Sequence, residues 1–211
     1  MIAPSITTLG NACFRNCKNL TSIELPKVTT LGNTCFQNCT SLTSIELPKV
    51  TSLGSSCFSE CSALESASLP EITSMPEYCF YECSALETVS FPKVTSISGF
   101  GFYNCGNLTS VTLSEVTSIG NHCFNGCKSL TSMELPKIIS IGYCGLYALS
   151  LKTVTLGGVG QPIIDSSNYS TSSFNSNVTD INIYVSDSGN PPTLSGIPWG
   201  ATNATITYEQ A

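Results

Sequence analysis

Residues 42–63 read L-T-S-I-E-L-P-K-V-T-S-L-G-S-S-C-F-S-E-C-S-A, and this unit of 22 residues recurs along most of the chain. Its phenylalanine occupies six positions spaced 22 residues apart, and Leu146 takes the seventh place in that column. The phenylalanines of the column are Phe14, Phe36, Phe58, Phe80, Phe102 and Phe124. A fixed period of this length is typical of a solenoid, in which each repeat forms one lap of the winding.

The leucine that opens the unit forms a second column. Leu151 opens one further unit after a single deletion. The other members are Leu20, Leu42, Leu64, Leu86, Leu108 and Leu130. Because several columns keep the same period, the repeat and not the chain length decides the architecture.

Each unit begins with L-x-x-I-x-L, which predicts a short strand with one buried side. Ile45 and Leu47 are two residues apart, so both point toward the core. Pro48 has no N–H to donate and ends the strand, and V-T-S-L-G brings the chain back. We expect Gly54 to permit a tight corner and C-F-x-x-C to form one short helical turn. The equivalent glycines are Gly10, Gly32, Gly120 and Gly142, while Pro76 and Ser98 replace glycine in two repeats and predict a locally altered corner.

These periods predict an α/β repeat solenoid of about seven repeats, each with short strands and a short helical turn. Laps stacked about 4.8 Å apart would turn each column into a continuous row of like side chains. Burying one large apolar side chain contributes roughly 1.5 to 3 kcal/mol, so five such rows outweigh any surface ion pair. The solenoid is expected to cover residues 1–156, starting in the middle of a repeat.

Twelve cysteines raise the question of disulfides or a metal site. Most pairs have the spacing C-x-x-x-C, but Gly101 and Ala148 occupy cysteine positions in two repeats. A required bridge or ligand would not be replaced in this way, so small buried thiols in a stacked column are the simpler interpretation. The only histidine is His122, and zinc sites usually use other spacings. We therefore predict no metal and no cofactor.

The composition excludes several classes of function. The net charge is −6, and the eight basic residues are spread singly, which argues against a nucleic-acid partner. No apolar stretch is long enough to cross a bilayer, and the first ten residues do not resemble a signal peptide. Catalysis is not predicted, because no nucleophile, acid–base pair or metal set converges. We expect His122 to be an exposed corner residue, and Asp165, Asp180 and Asp187 to be solvated loop charges and not a calcium site.

Residues 157–211 are predicted to form a degenerate repeat and a C-terminal cap, with a Ser- and Asn-rich loop inserted over 161–177. Val178, Ile181 and Ile183 restore the strand pattern and predict an eighth strand stacked on the seventh. The alternation from Ala204 to Tyr208 predicts another strand. Trp199 is expected to cover the apolar end of the solenoid, because an open terminal lap invites association. At the other end, the start in mid-lap predicts that Met1 belongs to a truncated chain with a leader or further repeats upstream.

The repeat residues over Ala3 to about Leu156 resemble the BspA-type leucine-rich repeat, L-x-x-I-x-L-P-x-x-(L/V)-x-x-I-G-x-x-A-F-x-x-C. The chain departs from it in having Cys before Phe and a period of mostly 22 residues where 23 is common. The resemblance implies a curved right-handed solenoid from a bacterial cell-surface or secreted protein. It also implies binding to host matrix proteins or to other cells.

The outward positions of the predicted strands are where a solenoid usually binds its partners. We define the strand face as these positions, which carry hydroxyl and carboxylate groups and lack aromatic rings. The candidate ligand-binding residues are Ser22, Glu24, Ser44, Glu46, Ser66, Ser68, Thr88, Ser90, Ser110, Thr112, Ser132 and Glu134. They could hydrogen-bond a protein or a glycan, or they could serve only to solvate the strands.

Two functions from different classes remain open. The first is an adhesion or recognition module whose concave strand face binds a protein or glycan on a host or neighbouring cell. The second is a structural spacer or prophage particle component that docks through its C-terminal end. The first predicts saturable binding that depends on Glu46 and Glu134, and the second predicts end-to-end association through Trp199 and the last strand.

Overall fold

The computed structural model describes residues 5–157, 163–164, 177–185 and 205–210. The predicted inserted loop, Trp199, Asp165, Asp187 and residues 1–4 lie outside the described residues. Within them, fifteen short strands follow one another. They are β1 (Thr8–Leu9), β2 (Thr30–Leu31), β3 (Ser44–Glu46), β4 (Ser52–Leu53), β5 (Ser66–Ser68), β6 (Ser74–Met75), β7 (Thr88–Ser90), β8 (Ser96–Ile97), β9 (Ser118–Ile119), β10 (Ser132–Leu135), β11 (Ser140–Ile141), β12 (Thr153–Leu156), β13 (Ile163–Ile164), β14 (Asp180–Val185) and β15 (Thr205–Gln210).

The strands form a parallel β-solenoid of about seven laps, as the repeat predicted. Strands from L-x-x-I-x-L pair in the orders β3-β5-β7 and β10-β12-β14-β15. Strands from V-T-S-L-G, here called return strands, pair in the orders β1-β2-β4 and β6-β8-β9-β11-β13. Residues one repeat apart face each other, as in Ser44↔Ser66 and Thr30↔Ser52. The register of the pairs from β1 to β11 therefore follows the 22-residue period.

A row of stacked phenylalanine rings runs through the core. Phe58 is fully buried, and its ring lies 5.5 Å from that of Phe36 and 5.3 Å from that of Phe80, with the planes within 10° of parallel. The same stacking continues to Phe124, and Leu146 is fully buried in the seventh place. Leucine, isoleucine and valine columns surround this row. The predicted core is confirmed.

The predicted helical turn at C-F-x-x-C is wrong. Ser56 and Glu60 have φ values of 56° and 62°, in the left-handed region, and the same two positions are left-handed in each of the first six repeats. The N–H of Phe58 donates to the carbonyl of Cys79 at 2.9 Å, in the next lap, and not to a residue of its own turn. A helix would use these N–H groups internally. The observed turns use alternate N–H groups, those of Ser56, Phe58 and Glu60, to join neighbouring laps. The N–H groups of Ser59 and Cys61 donate within the turn, to the carbonyls three residues earlier.

The corner glycines act by a different mechanism from the one predicted. No glycine of this column has a positive φ; among the described glycines only Gly126 does. A Cβ on Gly54 would lie 2.3 Å from the backbone nitrogen of Asn33, in the preceding lap. Glycine is thus needed because two backbones approach closely, and not for conformational freedom.

Replacing Gly54 with Ala is expected to lower the free energy of unfolding by about 1–3 kcal/mol, because the backbone must shift to relieve the contact. Gly10 is the matched control, since a Cβ there meets nothing within 4 Å. Gly10→Ala should be neutral or slightly stabilising through the unfolded chain. Urea denaturation followed by circular dichroism measures both. Equal losses in the two variants would contradict the close-approach explanation.

The altered corner predicted at Pro76 is present, and the one predicted at Ser98 is not. In the other repeats the N–H at this position donates to the preceding lap, as from Gly54 to the Leu31 carbonyl at 2.8 Å. Pro76 has no N–H, and the return strands separate between β4 and β6. Ser98 keeps the bond, to the carbonyl of Met75 at 2.9 Å, and β6 pairs with β8.

The predicted eighth strand is confirmed. β14 pairs in parallel with β12, which places Asp180 opposite Thr153 and Ile181 opposite Val154. β15 then pairs with β14 over six residues, in agreement with the strand predicted near Ala204 to Tyr208. β14 and β15 therefore continue the parallel stacking of the strands formed by L-x-x-I-x-L.

Candidate functional site

The strand face alternates between buried and outward positions, as the sequence predicted. Ile45 is buried between Ser44 and Glu46, both of which are exposed, and the same alternation holds in β10. The other ten candidate residues are exposed or half-buried. The structure thus presents all twelve to solvent, on one side of the solenoid.

Neighbouring laps align these side chains in two blocks. In the first, Ser44, Ser66 and Thr88 lie side by side, as do Glu46, Ser68 and Ser90. In the second, Ser132 and Glu134 lie beside Thr153 and Thr155. Ser110 and Thr112 fall between the blocks, in a segment that is not assigned to a strand. The strand face is therefore interrupted in the sixth repeat, which opens at Leu108.

Two shallow grooves mark places where adjacent laps do not pair as strands. One, of about 350 Å³, is lined by Ser22, Glu24, Ser44, Glu46 and the two prolines that follow. The other, of about 230 Å³, lies at the interruption and is lined by Ser110, Thr112, Ser132 and Glu134 among others. Each groove combines hydroxyl groups with at least one carboxylate. This arrangement suits noncovalent hydrogen bonding.

The cysteine columns contain no bridge. All twelve cysteines are free, and ten of them are buried, while Cys13 is exposed and Cys17 half-buried at the N-terminal end. The interpretation as stacked buried thiols is confirmed. Among the described residues, no group of three or more His, Cys, Asp and Glu side chains could hold a metal ion.

The second cysteine of each pair has a role that the sequence did not suggest. The Cys61 thiol donates to the Phe36 carbonyl at 3.1 Å, and the Cys83 thiol donates to the Phe58 carbonyl at 3.0 Å. The thiols of Cys39, Cys105 and Cys127 donate in the same way to the phenylalanine carbonyl of the preceding lap. Each thiol therefore satisfies a carbonyl of the preceding repeat, in addition to filling space.

Burial keeps five of the core thiols protonated, whereas hydrogen bonds with Cys57 and Cys61 lower the pKa of Cys35 and Cys39. Burial raises the pKa of Cys83 and of Cys127 to about 12 and raises the pKa of Cys79, Cys105 and Cys123 further. A thiol with such a pKa is a poor nucleophile and a poor metal ligand near neutral pH. His122 is half-buried, and burial lowers its pKa, so its imidazole is neutral at that pH. The buried thiols therefore serve the fold.

The sequence reasoning missed a group of aromatic side chains on the turn side of the solenoid. It considered aromatic residues only in the outward strand columns, where there are none. The signal was a period of 22 residues in Tyr78, Phe100 and His122, and again in Tyr81 and Tyr103. In the structure these side chains stack on one another outside the core.

The described residues include no helix long and apolar enough to cross a membrane. The laps and their columns define the chain as a leucine-rich repeat solenoid. The sequence matches the BspA type leucine rich repeat region in six copies, over residues 2–99 and 95–188. The chain therefore belongs to the BspA-type leucine-rich repeat family. No curated protein matches its sequence.

Several solved bacterial structures share the fold. A leucine-rich repeat protein from Bacteroides ovatus has a TM-score of 0.79 at 24% identity; the match covers 99% of this chain and 53% of that one. A leucine rich cell surface protein from Faecalibacterium prausnitzii has a TM-score of 0.59 at 22% identity, covering 98% and 77%. The pneumococcal vaccine antigen PcpA has a TM-score of 0.55 at 17% identity, covering 100% and 67%. The chain thus spans about half the length of the Bacteroides protein.

Proposed function

We propose that this chain is a noncovalent binding module of a bacterial cell-surface or secreted protein and recognises a protein or glycan partner through the strand face. The observation that carries the proposal is the outward alignment of hydroxyl and carboxylate groups along neighbouring laps. Rigid strands hold these groups in place before binding, which reduces the ordering cost of a complex. Family membership supports the same class of function, because solenoids bind through extended surfaces.

Two structural neighbours support a location outside the cell. One is a cell surface protein and the other a vaccine antigen. The composition of the strand face supports a polar partner. It offers both donors and acceptors, and its carboxylates, Glu24, Glu46 and Glu134, favour partners with N–H or basic groups. Catalysis has no support in the arrangement of the described side chains.

The test is a charge reversal on the strand face. An array of extracellular matrix proteins and glycans is screened with the full chain, and the best partner is titrated by calorimetry. Glu46→Lys with Glu134→Lys is expected to weaken that binding at least tenfold, because ammonium groups replace the two carboxylates and repel the basic groups of the partner. Glu71→Lys with Glu115→Lys carries the same charge change at partly exposed positions that belong neither to the strand face nor to the aromatic side chains of the turns, and it should leave this affinity unchanged.

Circular dichroism and thermal unfolding check that both double variants fold like the parent. Retained affinity in the Glu46 and Glu134 variant would contradict the proposed face. An array with no partner would instead favour the second function, a spacer that docks by its end.

One observation favours that second function. β15 is the outermost described strand of its sheet and pairs only with β14. An open strand edge can pair with another chain. A spacer that associates in this way should form defined oligomers whose mass, measured by light scattering, depends on residues 205–210.

A further inference from the structure

An aromatic surface covers the turn side of the fourth to seventh repeats. We define the aromatic patch as the side chains that stack there on neighbouring laps. Tyr78 is 36% exposed, and the other members are half-buried. The patch consists of Tyr78, Tyr81, Phe100, Tyr103, His122 and Tyr143.

Ring geometry shows that the patch is ordered. Tyr78 stacks on Phe100 with centroids 4.8 Å apart and planes 7° from parallel, and Phe100 stacks on His122 at 5.0 Å. In the neighbouring column Tyr81 stacks on Tyr103 at 5.2 Å. Tyr78 meets Tyr81 edge-on at 5.6 Å, which joins the two columns. The rings therefore form one continuous surface.

The fold itself does not require aromatic residues at these positions. Tyr78 and Phe100 have φ values of 58° and 59°, a conformation that bulky residues rarely adopt. Earlier repeats hold the same conformation with small residues, such as Ser56 at φ 56°. The hydrophobic core lies on the other side of the backbone, in the phenylalanine row. The aromatic choice thus needs another explanation.

The patch has an open end toward the third repeat. Ser56 and Ser59 occupy, one lap earlier, the positions of Tyr78 and Tyr81. Among the described residues, no ring stacks on the side of Tyr78 or Tyr81 that faces those serines. The surface steps down there from an aromatic ring to a hydroxymethyl group. A ligand side chain could lie against the exposed rings at this step.

Carboxylates surround the step. Burial and a hydrogen bond with Glu82 raise the pKa of Tyr81, and the charge of Glu60 acts on it in the same direction. Glu60 lies one lap before Glu82 and accepts a hydrogen bond from the Gln37 amide at 3.4 Å. Glu77 is exposed beside Tyr78. Neither Glu60, Glu77 nor Glu82 forms a salt bridge within the described part of the chain. Arg15 and Lys18 lie three laps away from Tyr81 and Ser84. Lys128 lies two laps away from Ser84 in the other direction. The described turns of the third and fourth repeats, residues 55–63 and 77–85, contain no basic residue, so the step is acidic.

We propose that the open end of the aromatic patch is a second binding site, which takes an arginine or lysine side chain of a protein partner. Aromatic rings attract a cation through their negative faces, and partial burial strengthens that attraction. Glu60 and Glu82 add charge complementarity. A neutral sugar would stack on the rings and donate hydroxyl hydrogen bonds to the carboxylates, but it would gain no charge attraction from them. The charge balance therefore favours the cationic partner.

The test uses acetylated hexa-arginine as the probe, with hexalysine, a neutral glycine–serine hexapeptide and a neutral glucose hexasaccharide as comparators. Each is titrated into the full chain by calorimetry, and proton NMR follows the side-chain methylene signals of the peptide. Hexa-arginine is expected to bind and to show upfield shifts of its δ-methylene protons, which indicate contact with ring faces. The neutral peptide should not bind.

Two variants locate the site. Tyr78→Ser with Tyr81→Ser installs the residues that the preceding repeat has at these positions, and it should weaken hexa-arginine binding about threefold to tenfold and abolish the upfield shifts. Glu60→Gln with Glu82→Gln should weaken it and flatten its salt dependence. Glu46→Gln with Glu134→Gln removes the same charge from the strand face and should leave the upfield shifts intact.

Three results would overturn the proposal. One is an absence of hexa-arginine binding to the parent chain. Another is unchanged binding, with the upfield shifts, in the folded tyrosine variant. The third is a glucose hexasaccharide that binds the parent and is lost in the tyrosine variant, since the patch would then be a sugar site.

Discussion

The free energy of unfolding is expected to fall steeply above about pH 8.5, and the solenoid should unfold between about pH 9 and 10.5. The cause is a set of five fully buried thiols, those of Cys79, Cys83, Cys105, Cys123 and Cys127. Burial raises the pKa of Cys83 and Cys127 to about 12 and raises the pKa of the others. In the unfolded chain a thiol titrates near pH 8.5, as a model peptide does.

The sign follows from proton binding. In the window between these pKa values the folded chain keeps protons that the unfolded chain releases, so rising pH favours unfolding. Stability is complete below the unfolded pKa and is lost progressively above it. Each thiol contributes about 1.4 kcal/mol per pH unit, and five together contribute about 7 kcal/mol per pH unit. That slope exhausts an ordinary stability of about 5–15 kcal/mol within one or two units.

Urea denaturation at intervals from pH 7 to pH 10.5, under a reductant, measures the slope. Cys79→Ala with Cys123→Ala removes two of the thiols from a column that already holds glycine at position 101. The slope should then decrease by about 2.7 kcal/mol per pH unit. Cys13→Ala is the control, because Cys13 is exposed and its removal takes away no buried thiol. A free energy of unfolding that stays constant up to pH 10.5 would refute the role of the thiols.

The core was predictable because burial and period act together. Phe58 and Leu47 recur with the lap, and a lap cannot bury them except against its neighbours. Their positions therefore fix the stacking and the register. The eighth strand was predictable for the same reason, since Val178 and Ile181 restore the pattern even though the sequence is otherwise irregular.

The turns were not predictable from spacing alone. In C-F-x-x-C, a spacing of four residues fits one side of a helix, and it equally fits a turn whose N–H groups point to the next lap. The choice depends on backbone hydrogen bonds between repeats, such as Phe58 to Cys79, which one repeat considered alone does not contain. The same holds for Gly54, whose constraint is the backbone of Asn33 in another lap.

The candidate sites differ in the same way. The outward residues of the strand face followed from alternation, so Ser44 and Glu46 could be placed before the structure. The interruption at Ser110 and Thr112 could not, because their repeat keeps the strand pattern in sequence. The aromatic patch depends on which turn positions face solvent, and a helical interpretation of the turn could not place Tyr78.

Phe58→Ala is expected to reduce the free energy of unfolding by about 3–5 kcal/mol. The fully buried ring touches a parallel ring on each side, so the substitution leaves a cavity and removes two aromatic contacts in the middle of the row. Each contact adds about 0.5–1.5 kcal/mol beyond the area that the rings bury. Because a solenoid is stabilised by interfaces between neighbouring laps, weakening two adjacent interfaces also threatens cooperative unfolding.

The chain supplies two controls for this substitution. Phe58→Leu places in the row the residue that Leu146 contributes to its seventh place, fully buried, and should cost less than about 1.5 kcal/mol. Phe14→Ala removes a half-buried ring with one stacked neighbour, Phe36 at 5.1 Å, and should cost less than Phe58→Ala. Calorimetry and urea denaturation should agree for the parent and disagree for Phe58→Ala if the two halves of the stack unfold separately. Equal losses for Phe14→Ala and Phe58→Ala would mean that the row does not transmit stability from lap to lap.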